Sequence, residues 1–173
     1  MTSPRRQRNP RLARPFFFLA TVALVAAGLG LGVKPGEAVT ERIVVDPNTG
    51  VALSGFDPVA YFVDGKARLG RNEVEYDFSG AVWQFDNIGN RAAFAAHPEV
   101  YAPRYGGYDP IAIARGVATP GHPLIWLVSG QRLYLFYSPE TRKAFAAYPE
   151  RAVAEANRAW PRVRPSILLL RRS

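Results

Sequence analysis

The sequence contains no cysteine, only two histidines, and a single methionine, which is the initiator. Without cysteine the chain can form no disulfide, offers no thiolate nucleophile and can hold no thiolate-bound metal. Copper(I) prefers thiolate and thioether ligands, so this composition disfavours copper(I). The sequence also lacks a Gly-rich phosphate-binding loop and the HExxH and GxSxG motifs, and we therefore do not expect an enzyme.

The middle of the chain has almost no net positive charge, although the formal net charge of the whole chain is +8. Five arginines precede residue 15 and four follow residue 161, which leaves the region between these ends close to neutral. Nucleic-acid binding needs a basic stripe on the folded domain itself. We therefore expect no nucleic-acid partner.

An uncharged apolar run begins at Phe16, after the N-terminal arginines, and ends at Val33. Its length lies between that of the apolar core of a signal peptide and that of a membrane-spanning helix. Residues 1–38 are therefore either a signal peptide, cleaved after Ala38, or an N-terminal membrane anchor. Because the positive flank stays inside, both alternatives predict an exported domain, periplasmic or secreted, which the run tethers to the membrane if it is not cleaved.

Two stretches of the chain repeat each other. GFDPVAYFVDG at 55–65 returns as GYDPIAIARG at 107–116, with an offset of 52 residues. VWQFDNIGNRAAFAAHPE at 82–99 returns as LYLFYSPETRKAFAAYPE at 133–150, with an offset of 51. Units of this length are too small to bury an apolar face alone, so two of them are expected to pack into one core. We call residues 55–99 copy 1 and residues 107–150 copy 2.

Each copy predicts a helix, a β-hairpin and a second helix. The pairs Asp57-Pro58 and Asp109-Pro110 are typical of helix starts, and Ser79-Gly80 and Ser129-Gly130 are typical of hairpin turns. The predicted strands are 73–78, 81–85, 124–128 and 131–137, and the later helices are 87–96, 139–148 and 150–160. The predicted fold is α+β, a single compact domain of two pseudo-symmetric helix/β-hairpin/helix repeats plus a closing C-terminal helix.

Three motifs carry a resemblance to a known family. GFDPVAYFVDGKA, HPEVYAPRYGGYD and ANRAWPRV occur in this order within residues 53–163, and their order and spacing resemble those of secreted YHS-domain proteins. The resemblance implies a small α+β domain, related domains of which accompany copper-transporting ATPases, and a role in binding metal. It also makes residues 39–52 a linker and residues 164–173 a basic and apolar tail.

The central loop departs from that family. Its members commonly read YGGYCA, whereas here Asp109 and Pro110 follow YGGY. The soft ligand is therefore absent, and a carboxylate in its place favours a hard or borderline divalent metal ion over copper(I).

The candidate metal ligands are His97, Asp109, His122 and Asp57. Such a set would suit zinc, iron(II) or manganese. Each residue also has a structural interpretation. The two aspartates can cap helices, since a proline follows each. His97, which stands where copy 2 has Tyr148, can close a helix, and His122 can be an exposed turn residue.

Three tyrosines flank the Gly106-Gly107 pair between the copies, namely Tyr101, Tyr105 and Tyr108. They could line a binding pocket for an apolar ligand or a haem edge. The other interpretation is that they fill a packed seam between the two copies.

The leading functional hypothesis is a non-enzymatic YHS domain that binds a metal ion or a small ligand at the seam between the repeats. One alternative is a metal-free module that contacts a protein of the cell envelope. A second alternative is a small enzyme with His97 as a base, which would need a deep pocket around that side chain.

Overall fold

A computed structural model describes residues 43–167 of the chain, and its fold is α+β. The strands are β1 (Arg71–Phe78), β2 (Ala81–Phe85), β3 (His122–Ser129) and β4 (Arg132–Phe136). The helices are α1 (Ala60–Val63), α2 (Ile88–Ala96), α3 (Pro98–Tyr101), α4 (Pro110–Ala114), α5 (Pro139–Ala147) and α6 (Pro149–Val163). β1 and β2 form the antiparallel hairpin 1, and β3 and β4 form the antiparallel hairpin 2.

The prediction of the hairpin turns is right for hairpin 1 and wrong by one residue for hairpin 2. Ser79 and Gly80 form the first turn, with φ of 52° and 72°. In the second hairpin Ser129 still pairs with the next strand, and Gly130 and Gln131 form the turn, with φ of 55° and 57°. A two-residue turn of this kind needs positive φ at both positions, and Gln131 adopts it although it has a side chain.

A glycine lies directly under the second strand of each hairpin. A Cβ atom on Gly70 would lie 2.4 Å from the carbonyl carbon of Gln84, and one on Gly121 would lie 2.5 Å from Cβ of Leu135. Only glycine allows this close approach of two backbones. Both hairpins also carry a register shift in the same region.

A left-handed 3-10 turn precedes α1, and a second one precedes α4. The turns are Leu53–Gly55 and Arg104–Gly107. The residues with positive φ are Leu53, Ser54 and Gly55 (54°, 51° and 82°) and Tyr105, Gly106 and Gly107 (57°, 65° and 92°). Positive φ is unfavourable for residues with a side chain, so the surrounding packing must hold the first turn in place.

Hairpin 2 lies between two hydrophobic clusters. Successive side chains of a strand point to opposite faces, so each face of the hairpin packs into a different cluster. We call the cluster that contains Trp83 and Phe94 cluster 1, and the cluster that contains Tyr134 and Phe145 cluster 2. The face that packs into cluster 1 carries Trp126, Val128, Leu133 and Leu135. The face that packs into cluster 2 carries Ile125, Leu127, Tyr134 and Phe136.

Hairpin 1 packs on one side only. Its buried side chains Val74, Trp83 and Phe85 belong to cluster 1, where Phe94 of α2 lies 4.8 Å from the Trp83 ring, measured between ring centroids. Cluster 2 is closed by α6, which buries Ala152, Ala156, Ala159 and Val163.

The predicted end of the closing helix at Trp160 is too early. α6 continues through Pro161 to Val163. Proline removes one backbone N–H from the helix, but the N–H of Arg164 still donates to the carbonyl of Trp160 at 2.9 Å, so the helical path is kept.

The described part of the predicted linker, residues 43–52, packs against the domain. Val45 pairs with Ala52 across a turn, and Val51 pairs in parallel with Val82 of β2. Ala52 is fully buried in cluster 1. These residues thus belong to the packed domain.

The apolar run from Phe16 to Val33 lies outside the described residues. Between residues 43 and 167, no helix is long and apolar enough to cross a membrane.

Candidate functional site

Asp57 is a fully buried carboxylate that organises copy 1. Its Oδ1 accepts hydrogen bonds from the N–H groups of Val59 (2.8 Å) and Ala60 (3.3 Å). Its Oδ2 accepts from the N–H of Asp86 (2.9 Å) and from Nδ2 of Asn90 (2.7 Å). The side chain therefore joins the start of α1 to the start of α2.

Asp109, also fully buried, makes the corresponding bonds in copy 2. Its Oδ1 accepts from the N–H groups of Ile111 (2.8 Å) and Ala112 (3.3 Å), and its Oδ2 accepts from the N–H of Tyr137 (2.8 Å). A metal ion at either aspartate would have to displace these donors. The hydrogen bonds show the capping role that the Asp-Pro pairs indicate.

Both predicted histidine ligands are exposed. His97 lies between α2 and α3 with its side chain 65 % exposed, and its Nδ1 is 3.5 Å from Oε1 of Glu99. His122 begins β3, and its Nδ1 accepts a hydrogen bond from the N–H of Leu124 at 3.1 Å. When this imidazole is neutral, that bond assigns the remaining proton to Nε2.

The four predicted metal ligands do not come together. Two are buried caps in different copies, and two are exposed histidines on different elements. Within the part of the chain that the structure describes, no group of three or more His, Cys, Asp or Glu side chains could hold a metal ion.

The three predicted ligand-binding tyrosines are distributed over both clusters. Tyr101 packs into cluster 1, whereas Tyr105 is buried in cluster 2 and Tyr108 packs against that cluster. The hydroxyl of Tyr105 donates to Oδ1 of Asn157 at 2.9 Å, and its ring lies 5.5 Å from that of Trp160. Tyr105 therefore joins the central loop to α6.

A groove lies between the segment that precedes copy 1 and copy 2, and we call it the seam groove. Its volume is about 350 Å³. The lining residues are Val44, Val45, Asp46, Pro47, Leu53, Ser54, Pro120, Gly121, His122, Pro123, Leu135 and Tyr137. Of the seven predicted site residues, His122 alone belongs to this lining.

The polar groups of the seam groove are few. His122 offers an N–H donor at Nε2 when neutral, and Tyr137, which is 65 % exposed, offers a hydroxyl. Asp46 offers a carboxylate whose pKa is lowered from its usual value by hydrogen bonds from the N–H groups of Thr49 and Asn48. Asp46 is therefore anionic at neutral pH.

Contacts next to the seam groove join the two copies. The hydroxyl of Tyr61 in α1 donates to the carbonyl of Pro123 at 3.0 Å, and the Tyr61 ring lies edge-on to Trp126 at 5.0 Å. Burial raises the pKa of Tyr61, and the negative charge of Asp57 raises it further. The phenol therefore keeps its proton, and with it this hydrogen bond, well into the alkaline range.

A second groove lies on the outer side of hairpin 1, and we call it the strand-face groove. Its volume is about 660 Å³. It is lined by Asp46, Thr49, Val51, Ser54, Gly55, Asn72, Glu75 and Gln84. Nε2 of Gln84 donates to Oδ1 of Asn72 (3.1 Å) and to Oε1 of Glu75 (2.9 Å).

No sequence pattern indicates the residues that line the seam groove together with His122. Asp46 and Leu53 belong to no motif, Tyr137 lies in the second repeated stretch without a chemical signal of its own, and only the tertiary fold brings the three together. The signals present in the sequence were the turn-forming stretches VVDPNTG and TPGHP, which supply two of the groove walls.

Comparison of the chain with models of protein families, with characterised proteins and with solved structures gives no match. The resemblance to YHS domains therefore stays a prediction, and function is argued from the geometry of the described residues.

Proposed function

We propose that the chain is an exported, non-enzymatic YHS-like module, built from two copies of one unit, that binds a small uncharged ligand in the seam groove. The equivalent hydrogen bonds of Asp57 and Asp109 support the duplication. Each aspartate caps the helix that follows it and also accepts from the backbone N–H that follows the second strand of its hairpin.

The observation that carries the binding proposal is the composition of the groove. Its walls are mostly apolar, formed by proline, valine and leucine side chains from two separate parts of the chain. The polar side chains of its lining are those of Asp46, His122, Tyr137 and Ser54. An apolar concavity with a few polar groups is the usual form of a small-molecule site.

The polar groups favour an amide-bearing ligand over a charged one. Nε2–H of His122 and the hydroxyl of Tyr137 can donate to a carbonyl, while the carboxylate of Asp46 can accept from an amide N–H. The same carboxylate would repel an anionic ligand. A neutral ligand with an apolar body and an amide group can form hydrogen bonds with all three of these side chains.

The structure supports a metal ion as the ligand less well than it supports a neutral organic molecule. The carboxylates of Asp57 and Asp109 already accept hydrogen bonds on both oxygens. Only Asp46 and His122 supply ligand-type side chains to the seam groove, and one Asp46 oxygen and one His122 nitrogen are also engaged by backbone N–H groups. A stable divalent site usually needs more protein ligands than these two.

The test compares two probes of nearly equal shape, benzamide and benzoate. Each is titrated into the ¹⁵N-labelled fragment 39–173, which contains both hydrophobic clusters and both buried aspartates. We expect benzamide to shift the amide signals of Gly121, His122 and Tyr137 with a dissociation constant of about 1 mM, the order expected for a ligand of this size. Benzoate should bind at least about tenfold more weakly because of Asp46.

Four variants control this experiment. His122→Ala and Tyr137→Phe should each weaken benzamide binding, whereas Tyr148→Phe, which changes an exposed ring away from the groove lining, should not. Asp46→Asn should reduce the preference for benzamide over benzoate. Shifts that spread over the whole domain, or equal binding by the His122→Ala variant, would reject the seam groove as the site, and zinc or manganese titrated in the same way tests the metal form.

A second candidate is a metal-free module that binds a segment of an envelope protein. The exposed side chains of Leu124 and Tyr137 favour it, since both are large apolar groups beside or within the groove. In that case a peptide bearing a Pro-aromatic pair should compete with benzamide and should bind more tightly.

A further inference from the structure

The two hairpins present equivalent faces that differ in chemistry. In hairpin 2, Trp126 pairs with Leu135, and Val128 pairs with Leu133. In hairpin 1, the pairs at the corresponding positions, 51 residues earlier, are Glu75 with Gln84 and Asp77 with Val82. Because side chains alternate along a strand, these residues form one face in each hairpin, and we call it the outer face.

The outer face of hairpin 2 is covered by the first part of the chain. Leu133 and Leu135 are buried, with 0 % and 1 % exposure, and Trp126 packs against the Tyr61 ring. The turn that carries Leu53 lies over the same hairpin and shares the seam groove with Leu135. The left-handed turn and helix α1 therefore act as a lobe that docks on this face.

On the other side of hairpin 2, the corresponding lobe of copy 2 is also covered. This lobe consists of the turn with Tyr105 and of α4 with Ile113, and both residues are buried in cluster 2 beside α6. The hydroxyl of Tyr105 bonds to Asn157 of α6, and Trp160 packs on its ring. Helix α6 thus occupies the place where a further hairpin would stack.

The outer face of hairpin 1 is the remaining one of these surfaces. Glu75 and Asp77 are exposed and Gln84 is only partly buried. They replace a tryptophan, a valine and a leucine of the equivalent face, and the amide of Gln84 is held by Asn72 and Glu75. This face corresponds in position to the covered face of hairpin 2, but it has the chemistry of a solvated surface.

We propose that the outer face of hairpin 1 is a polar end cap that prevents another molecule of this chain from packing on copy 1. The inference rests on the duplication proposed above. Covering this face with another molecule would remove the carboxylates of Glu75 and Asp77 from water, and the one hydrogen bond from Gln84 to Glu75 does not compensate for that loss, so burial is strongly unfavourable. Stacked repeat proteins require terminal units with a polar outer face for the same reason.

The experiment uses the full-length chain in two forms with different C-terminal tags, which are co-expressed, extracted in mild detergent and captured through one tag. The variant Glu75→Trp, Asp77→Val, Gln84→Leu carries on hairpin 1 the residues of the hairpin 2 face. We expect it to raise recovery of the second tag at least about tenfold over the wild-type chain, because it exposes a contiguous apolar face.

Two control variants separate this effect from non-specific association through exposed apolar residues. Arg142→Leu, Lys143→Trp, Ala146→Val adds similar residues at exposed positions of α5 and should stay at the wild-type level of capture. Glu75→Lys, Asp77→Lys, Gln84→Lys keeps the face polar with inverted charge and should also stay at that level.

Three results would overturn the proposal. The first is that the apolar variant recovers the second tag only at the wild-type level, although its far-UV circular dichroism is unchanged. The second is self-association of the lysine variant. The third is a wild-type chain that self-associates and loses this property in the lysine variant, which would make the face an interface. None of these readouts depends on ligand binding in the seam groove, so a failure here and a failure of the proposed function are distinguishable.

Discussion

Hairpin 1 and hairpin 2 have the same register and the same kind of turn, yet the outer face is polar in hairpin 1 and apolar in hairpin 2. The first strand of hairpin 1 reads RNEVEYDF and is mostly exposed, whereas that of hairpin 2 reads HPLIWLVS and is mostly half-buried. Hairpin 2 separates two hydrophobic clusters, and hairpin 1 packs into one. The packing around each hairpin, rather than its local fold, therefore decides which outer-face residues are apolar.

The features that do not differ are those that build each unit. The buried aspartate, the glycine beneath the second strand and the left-handed turn occur in both halves with similar geometry. Replacing one of these features should therefore lower stability to a similar extent in either half. Replacing outer-face residues should lower stability only in hairpin 2.

The largest effect is expected for the buried caps. Asp57→Ala and Asp109→Ala leave buried N–H donors without acceptors, and we expect each to lower the free energy of unfolding by about 3–5 kcal/mol, measured by urea denaturation. Asp57→Ala should cost at least as much as Asp109→Ala, since Asp57 accepts from the Asn90 side chain as well. The Asn variants, which keep one acceptor oxygen, should lie between wild type and Ala. A stability loss that EDTA reproduces in the wild-type protein would instead favour a metal at these carboxylates.

A smaller effect is expected at the contact between the copies. Tyr61→Phe removes the hydrogen bond to Pro123 and should lower the free energy of unfolding by about 1 kcal/mol near neutral pH. Because the folded pKa of Tyr61 is raised above its ordinary value of 10.0, the native state holds this proton more tightly than the unfolded state. The stabilisation is therefore complete below pH 10 and is lost as the pH rises above it.

Urea denaturation between pH 8 and pH 11 checks this pH dependence. The Phe variant should lose less stability than wild type over the alkaline part of that range. Tyr148→Phe, at a ring that is 70 % exposed, serves as the matched control and should follow the wild-type curve. Parallel curves for wild type and Tyr61→Phe would contradict a buried, protonated phenol between the copies.

The smallest effect is expected in the segment before copy 1. The pKa of Asp46 is lowered by the N–H groups of Thr49 and Asn48, so its contribution is present above its ordinary pKa of 3.8 and is lost as the pH falls through its lower folded value. Asp46→Asn should therefore flatten a small part of the acid limb of the stability curve. Thermal unfolding between pH 2 and pH 6 measures it, and an unchanged acid limb would show that this turn does not support the domain.

The sequence predicted much of each unit, since the Asp-Pro pairs, the Ser79-Gly80 turn and the amphipathic helices are local signals with known geometry. It missed the turn at Gly130 and Gln131 because glycine was expected in the second turn position. It also missed the left-handed turn at Leu53 and Ser54, since neither residue favours positive φ and tertiary packing imposes it.

The candidate site was much harder to predict than the fold. His122 was selected because of its chemistry, but Asp46 and Leu53 meet it only through the packing of residues 44–54 against copy 2. The aspartates were selected as ligands or caps, and local sequence could not choose between these roles. The hydrogen bond from the N–H of Tyr137 to Asp109, which joins residues 28 positions apart, supports the capping role.

The most direct test of the stacked arrangement is a reciprocal substitution at one equivalent position, Leu135→Gln in hairpin 2 and Gln84→Leu in hairpin 1, with the free energy of unfolding of each measured in urea. We expect Leu135→Gln to lower the free energy of unfolding by about 3–5 kcal/mol, because it buries an amide and removes apolar contacts, and Gln84→Leu to change it by less than about 1 kcal/mol. Similar losses in both variants would contradict the claim that one outer face is an interface between the copies and the other a polar cap.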